Sequence, residues 1–189
     1  MTLPTQLLWL DLETTGLDPN EDTILEVACF PVPFLDPFAN PKESVTRPIM
    51  FRDWERVSQE VIDLHSPFGL ISECVKSKNT IDEAEAEIIQ MLIRATGTGI
   101  TPQGIILAGS SVHFDLGFIR VHMPRLAKLL HYRVYDVSAV RNFAYSLGMP
   151  EQPPLDPKPH RAMADVLASH KLGRDLKEWF DSQWLEQKS

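Results

Sequence analysis

The chain has 189 residues, 43% hydrophobic and 23% charged, which is the make-up of one globular unit spanning residues 1–189 that needs no disulfide framework to hold its core. A formal net charge of −8 argues against a protein that grips long nucleic acid by neutralising its phosphates, although carboxylates that gather divalent cations can still hold one or a few phosphates. No apolar run approaches the roughly 20 residues of a membrane span and the opening MTLPTQ carries no basic stretch, so the expectation is no membrane association and a cytoplasmic or otherwise reducing location.

Leu7 to Leu12 is a short apolar run bounded by the turn sequence Gly16-Leu17-Asp18-Pro19 and reads as a buried strand. Thr23 to Val32 reads as a second strand paired to it, followed by a loop in which Pro31, Pro33, Pro37 and Pro41 fall close together, and Ser44 to Met50 is a candidate third strand. From Ser58 the pattern turns helical. Thr80-Ile81-Asp82-Glu83 is a capping-box sequence that opens a helix from about Ile81 to Arg94, with Ala84, Ile88, Met91, Leu92 and Ala95 on one side. Gly104 to Gly109 encloses a fully apolar run and reads as a central strand. Phe114 to Val121 and Pro124 to Leu130 read as helices, Arg133 to Val137 as a strand and Ser138 to Leu147 as a helix. Gly148 to Pro159 holds five prolines and reads as a loop, and the last helix starts near Arg161 with Leu172, Leu176, Trp179 and Phe180 on one face. Strands that give way to alternating helices and strands predict an α/β domain with helices on both sides of a mixed sheet. Cys29 and Cys74 have no CxxC partner and read as buried thiols.

Asp11 and Glu13 stand two apart at a strand end, so both leave one face while Leu12 points to the other. Two like charges side by side call for a positive partner, and a hard divalent cation is one; solvated strand-end residues or a turn cap explain this pair alone equally well. Asp115 falls in the first turn of a helix, where the dipole already favours a carboxylate. His160 precedes Asp165 by five residues where the proline-rich loop meets the last helix, and taken alone it reads as a surface histidine.

Together these residues form a pattern. Asp11-Leu12-Glu13-Thr14-Thr15-Gly16, Asp115, and His160 with Asp165 resemble the three motifs of the DEDDh 3′→5′ exonucleases. Within that superfamily the chain is most similar to oligoribonuclease. Leu107-Ala108-Gly109-Ser110-Ser111-Val112-His113 with Asp115, then Met123-Pro124, then His131 to Ser138, resemble that family's central block. So do His65-Ser66-Pro67-Phe68-Gly69-Leu70 and Val75-Lys76-Ser77. The resemblance covers most of residues 7–172 and is weak from about 31 to 64. It implies an RNase H-like three-layer fold and a two-metal mechanism, with Asp11, Glu13, Asp115 and Asp165 holding two Mg²⁺ or Mn²⁺ ions and His160 as general base. All-oxygen ligation suits those ions better than zinc.

The resemblance also implies the substrate contacts. Leu12 and Trp54 would sandwich terminal bases, with Thr14 beside them, and Ser111 and His65 would meet the 5′ phosphate of a very short substrate. Arg133 and Ser138 would reach that pocket from a second copy, so a homodimer is implied. Three departures are visible: Thr14 stands where oligoribonucleases usually carry Met, as in proofreading-type enzymes, Ser110 replaces the usual Asn, and the stretch between Trp54 and His65 is several residues longer than the family pattern. Asp136 reads as a helix cap, and His113, His122, His131 and His170 as structural or exposed. The leading expectation is an enzyme that degrades short RNA to nucleoside 5′-monophosphates. The alternatives are a proofreading or repair exonuclease acting on the 3′ end of single-stranded DNA or longer RNA, and a catalytically silent binding module on the same fold.

Overall fold

The computed structural model describes residues 4–97, 99–151 and 160–186. Strands β1 (Gln6–Thr14) and β2 (Ile24–Pro33) form the long antiparallel pair at its centre, in a register that sets Leu10 opposite Cys29 and Glu13 opposite Glu26. β3 (Val45–Pro48) joins the outer edge of β2 antiparallel. On the other side β4 (Ile105–Gly109) runs parallel to β1 and β5 (Leu130–Asp136) parallel to β4, giving the order β3-β2-β1-β4-β5. The helices are α1 (Gln59–His65), α2 (Leu70–Lys76), α3 (Ile81–Thr96), α4 (His113–His122), α5 (Pro124–Ala127), α6 (Val137–Ser146) and α7 (Ala162–Glu186). No helix among the described residues is long and apolar enough to cross a membrane.

Two-residue alternation along β1 sorts the core into layers. Leu8, Leu10 and Leu12 pack with Ile88, Met91 and Leu92 of α3 and Phe118 and Ile119 of α4. Leu7 and Trp9 point the other way, to Val137 and Ala144 of α6 and Val166 and Leu176 of α7. Asp11 and Glu13 share the parity of Leu7 and Trp9 and so emerge on the α7 side. A small third cluster of Leu25, Leu70 and Cys74, with Phe51 and Trp54 against it, seats α2 on β2. The expected mixed sheet with helices on both faces is present.

The capping box forms as the sequence predicts, with Thr80 accepting from the Glu83 amide and Glu83 accepting from the Thr80 amide. Ala84, Ile88, Met91 and Leu92 are buried on α3, but Ala95, expected beside them, is exposed in the last turn. Around residue 130 the structure corrects the sequence reading. The helix expected to run to Leu130 stops at Ala127, and the strand starts at Leu130, three residues before Arg133, because Leu130 pairs with Ile105 on β4. Val137 already belongs to α6, which Asp136 caps. Of the proline-rich stretch 148–159, residues 152–159 lie outside the described residues.

β4 approaches β1 closely enough to exclude a side chain at Gly109, where an added Cβ would stand 2.8 Å from the Leu10 carbonyl oxygen and 3.0 Å from Val112 Cγ1. Gly109→Ala should therefore lower stability by about 1–3 kcal/mol, the usual cost of overpacking. Urea unfolding reads this directly, and an unchanged midpoint would show that the two strands separate freely.

Candidate active site

Asp11, Glu13 and Asp165 converge, each offering a carboxylate oxygen within 4.8 Å of the others. The first two come from the end of β1 and the third from the first turn of α7, whose amide Asp165 N donates to the Arg161 carbonyl at 3.1 Å. Asp115, from the first turn of α4, is 4% exposed. It enters through the backbone: its Oδ1 accepts the Leu12 amide at 3.0 Å, one residue from both Asp11 and Glu13. The trio fits a hard divalent cation, since all its donors are oxygens and the buried Glu13 Oε1 has no hydrogen-bond partner among the described residues.

Burial drives the electrostatics. Glu13 has its carboxyl pushed up to about 8, first by loss of water and then by the charges of Asp165, Glu26 and Asp115, with Arg161 opposing them. Asp115 is pushed up to about 7, again chiefly by burial, while its backbone hydrogen bonds, among them the Leu12 amide, pull the other way. Without a cation both carboxyls hold their protons far more tightly than an exposed carboxyl does, Glu13 more so than Asp115.

His160 leads into α7 with φ 40°, a left-handed conformation uncommon outside glycine, and its ring lies 6.4 Å from that of Phe68. His65 is 2% exposed at the end of α1, with Nδ1 3.8 Å from Glu13 Oε2 and with the backbones of His160 and Thr14 against it; burial lowers its pKa. It therefore lies beside the Glu13 carboxylate. Leu12 likewise offers the site its amide, for its side chain is 6% exposed and belongs to the core on the opposite face of the sheet. Thr14 is buried, with its hydroxyl donating to the Gly16 carbonyl at 2.7 Å.

The remaining candidates are spread around this centre. Trp54 is half-buried against Phe51 in the third cluster, with its indole nitrogen unpartnered among the described residues. Ser111 is exposed at the β4–α4 junction with φ 55°. Asp136 Oδ1 accepts the amides of Ser111 at 3.1 Å, Ser138 at 2.9 Å and Ala139 at 3.3 Å, so one carboxylate oxygen caps α6 and holds Ser111 next to Ser138 within one chain. Arg133 projects from the exposed edge strand β5 over the Tyr132 ring, 4.8 Å from its centre.

Sequence reasoning missed Glu26 and Arg161. Glu26 is fully buried opposite Glu13 and is joined to Arg161 by paired hydrogen bonds. A single carboxylate inside the apolar run Thr23 to Val32 was the available signal, because a charge in a buried strand requires a partner.

The chain belongs to the RNase T family of exonucleases, whose pattern matches residues 8–172. The relatives it resembles within that family are oligoribonucleases. The mitochondrial oligoribonuclease of Mus musculus is 34% identical over 174 residues, covering 88% of this chain and 69% of the relative. The oligoribonuclease of Idiomarina loihiensis is 32% identical over 182 residues, covering 94% and 96%. Among solved structures, exonuclease I from Methylocaldum szegediense superposes with a TM-score of 0.68 at 19% identity, over 92% of this chain and 40% of that one. The zinc-bound complex of E. coli exonuclease I with single-stranded DNA gives 0.68 at 16% identity, over 96% and 43%. These likenesses are of fold, an RNase H-like one, and the chain spans about two fifths of the length of those structures.

The raised carboxyls make stability depend on pH and on metal. A group whose folded pKa lies above its unfolded value contributes stability that is complete below the unfolded value, here 3.8 to 4.5, and is lost as pH rises through the folded values of about 7 and about 8. Metal-free protein should thus melt at progressively lower temperature from about pH 5 to about pH 8.5, and Mg²⁺ or Mn²⁺ should raise the melting temperature most at the upper end. Calorimetry with and without chelator tests this; a metal increment that shrinks with rising pH would contradict the assignment.

Proposed function

We propose that this chain is a single-domain, divalent-metal-dependent 3′→5′ exonuclease that hydrolyses short oligoribonucleotides to nucleoside 5′-monophosphates. The observation that carries the reading is the convergence of Asp11, Glu13 and Asp165 within 4.8 Å, with Asp115 tied to the same strand by the Leu12 amide. Its oligoribonuclease relatives, matched over most of this chain, supply the substrate class.

Asp11, Glu13, Asp115 and Asp165 would hold two Mg²⁺ or Mn²⁺ ions. When bound, these supply charge that activates water and stabilises the leaving 3′ oxygen. His160 serves as general base, its imidazole taking the proton of the attacking water near neutral pH. Trp54 is the aromatic platform for a terminal base, a contact that tolerates any base identity. Leu12 packs on the terminal bases with Trp54, with Thr14 beside them, while the Leu12 amide holds Asp115. Ser111 and His65 receive the 5′ phosphate, and Arg133, on the exposed edge strand β5, and Ser138 reach that pocket from a second copy in a homodimer. The free, buried thiols of Cys29 and Cys74 suit a reducing setting such as the cytoplasm.

The test is Mg²⁺-dependent cleavage of 5′-labelled RNA of two, seven and twenty nucleotides, with chelator and Asp115→Ala as controls. The dinucleotide should be consumed preferentially. Equal or better cleavage of the longest strand would favour a general single-strand exonuclease, and no cleavage of RNA or single-stranded DNA would sink the proposal. His160→Ala should reduce kcat by about 10²–10⁴-fold with KM little changed, as loss of a general base does.

A further inference from the structure

Arg161 lies between the candidate base His160 and the first residue of α7, and its guanidinium joins three elements. Nη2 is 2.6 Å from Glu26 Oε1 and 2.7 Å from Glu73 Oε2, Nε is 3.1 Å from Glu26 Oε2, and Nη1 is 3.1 Å from both Glu73 Oε1 and the Phe68 carbonyl. Glu26 Oε2 also accepts the Ala162 amide at 2.9 Å. β2, α2 and the start of α7 are thereby fixed to one another through a single planar cation that forks to two carboxylates.

We propose that Glu26, Arg161 and Glu73 form a positioning clamp that sets Asp165 against the carboxylates of β1 and fixes the backbone at His160. Asp165 is reached through the backbone, since its amide bonds to the Arg161 carbonyl at 3.1 Å. His160 is reached as the neighbouring residue, held in a left-handed conformation that persists only where the surroundings impose it. Arg161 has a second effect, because its charge offsets that of Glu26, which faces Glu13 across the β1–β2 pair. A lysine could replace that charge but not the bidentate contact to both glutamates.

The two arms of the clamp differ. Glu26 has a fully buried side chain, so its replacement threatens the fold, whereas the Glu73 side chain is 44% exposed and can be altered more safely. The catalytic consequence rests on the exonuclease reading above, but the positioning itself does not.

The experiment compares Glu73→Ala, Glu73→Gln and Arg161→Lys in the full chain. It measures melting temperature, Mn²⁺ affinity by calorimetry, kcat and KM on dinucleotide RNA, and the His160 imidazole signal by NMR in metal-free protein. Glu73→Ala should fold, shift or broaden the His160 signal, and lose about tenfold in kcat with KM unchanged, with Glu73→Gln recovering most of that. Arg161→Lys should lose about 100-fold in kcat and bind Mn²⁺ several-fold more weakly, because Asp165 moves with it. Folded variants with unchanged His160 signal, Mn²⁺ affinity and kcat would overturn the clamp, as would losses that follow melting temperature alone. If the unsubstituted chain cleaves nothing, the exonuclease reading fails, and the His160 signal and Mn²⁺ affinity still decide the clamp by the same criteria.

Discussion

Glu13 and Glu26 stand directly opposite each other in the antiparallel pair at the centre of the sheet, and both are shut off from water. Two carboxylates in that position call for positive charge on the face of the sheet they share. Arg161 answers for Glu26, and a cation among Asp11, Glu13 and Asp165 would answer for Glu13. Removing one partner of such a buried pair typically costs about 3–5 kcal/mol, so Arg161 is held where it is by the electrostatics of β2. The start of α7 follows it, and with that start come His160 and Asp165.

The sheet keeps packing and chemistry apart by parity. Leu8, Leu10 and Leu12 build the core under α3 and α4, while the same strand delivers Asp11 and Glu13 to the α7 face. Asp115 crosses between the layers, because α4 begins where β4 ends and the Leu12 amide is the donor that reaches it. Asp136 repeats the device one strand further out, capping α6 while fixing the Ser111 amide. After β4 and after β5, then, a carboxylate satisfies backbone amides as it shapes the site.

What the sequence showed depended on the range of the interaction. The apolar run of β1, the capping box at Thr80 and the Asp-x-Glu pair at a strand end are local patterns, and all three stand in the structure. The approach of Asp165 to the β1 pair was legible only through family resemblance, since 152 residues separate it from Glu13 and no local rule spans that gap. The partnership of Glu26 with Arg161 depends on strand register, which is set across the irregular turn between β1 and β2 and slips between Glu13 and Thr14. The burial of His65 was hidden for a similar reason, because a helix end becomes interior only once α1 is packed against the site. Leu130 was misplaced because its helical surroundings outweighed a pairing with Ile105 that is visible only in three dimensions.

The segment that carries α1 and α2 gives the site a property that neither the sheet nor α7 has alone. Cys74 and Leu70 fix α2 to Leu25 of β2, and the same small cluster takes up Phe51 and Trp54. Cys74 Sγ donates to the Leu25 carbonyl at 3.2 Å, and Arg52 donates to the Cys74 and Ser77 carbonyls at 2.9 and 3.1 Å, closing the end of α2. Glu73 and Trp54 are therefore parts of one packed unit, the first reaching Arg161 and the second packed against the cluster beside Phe51. The anchor of α2 on β2 is thus also the anchor of the Glu73 arm that reaches Arg161.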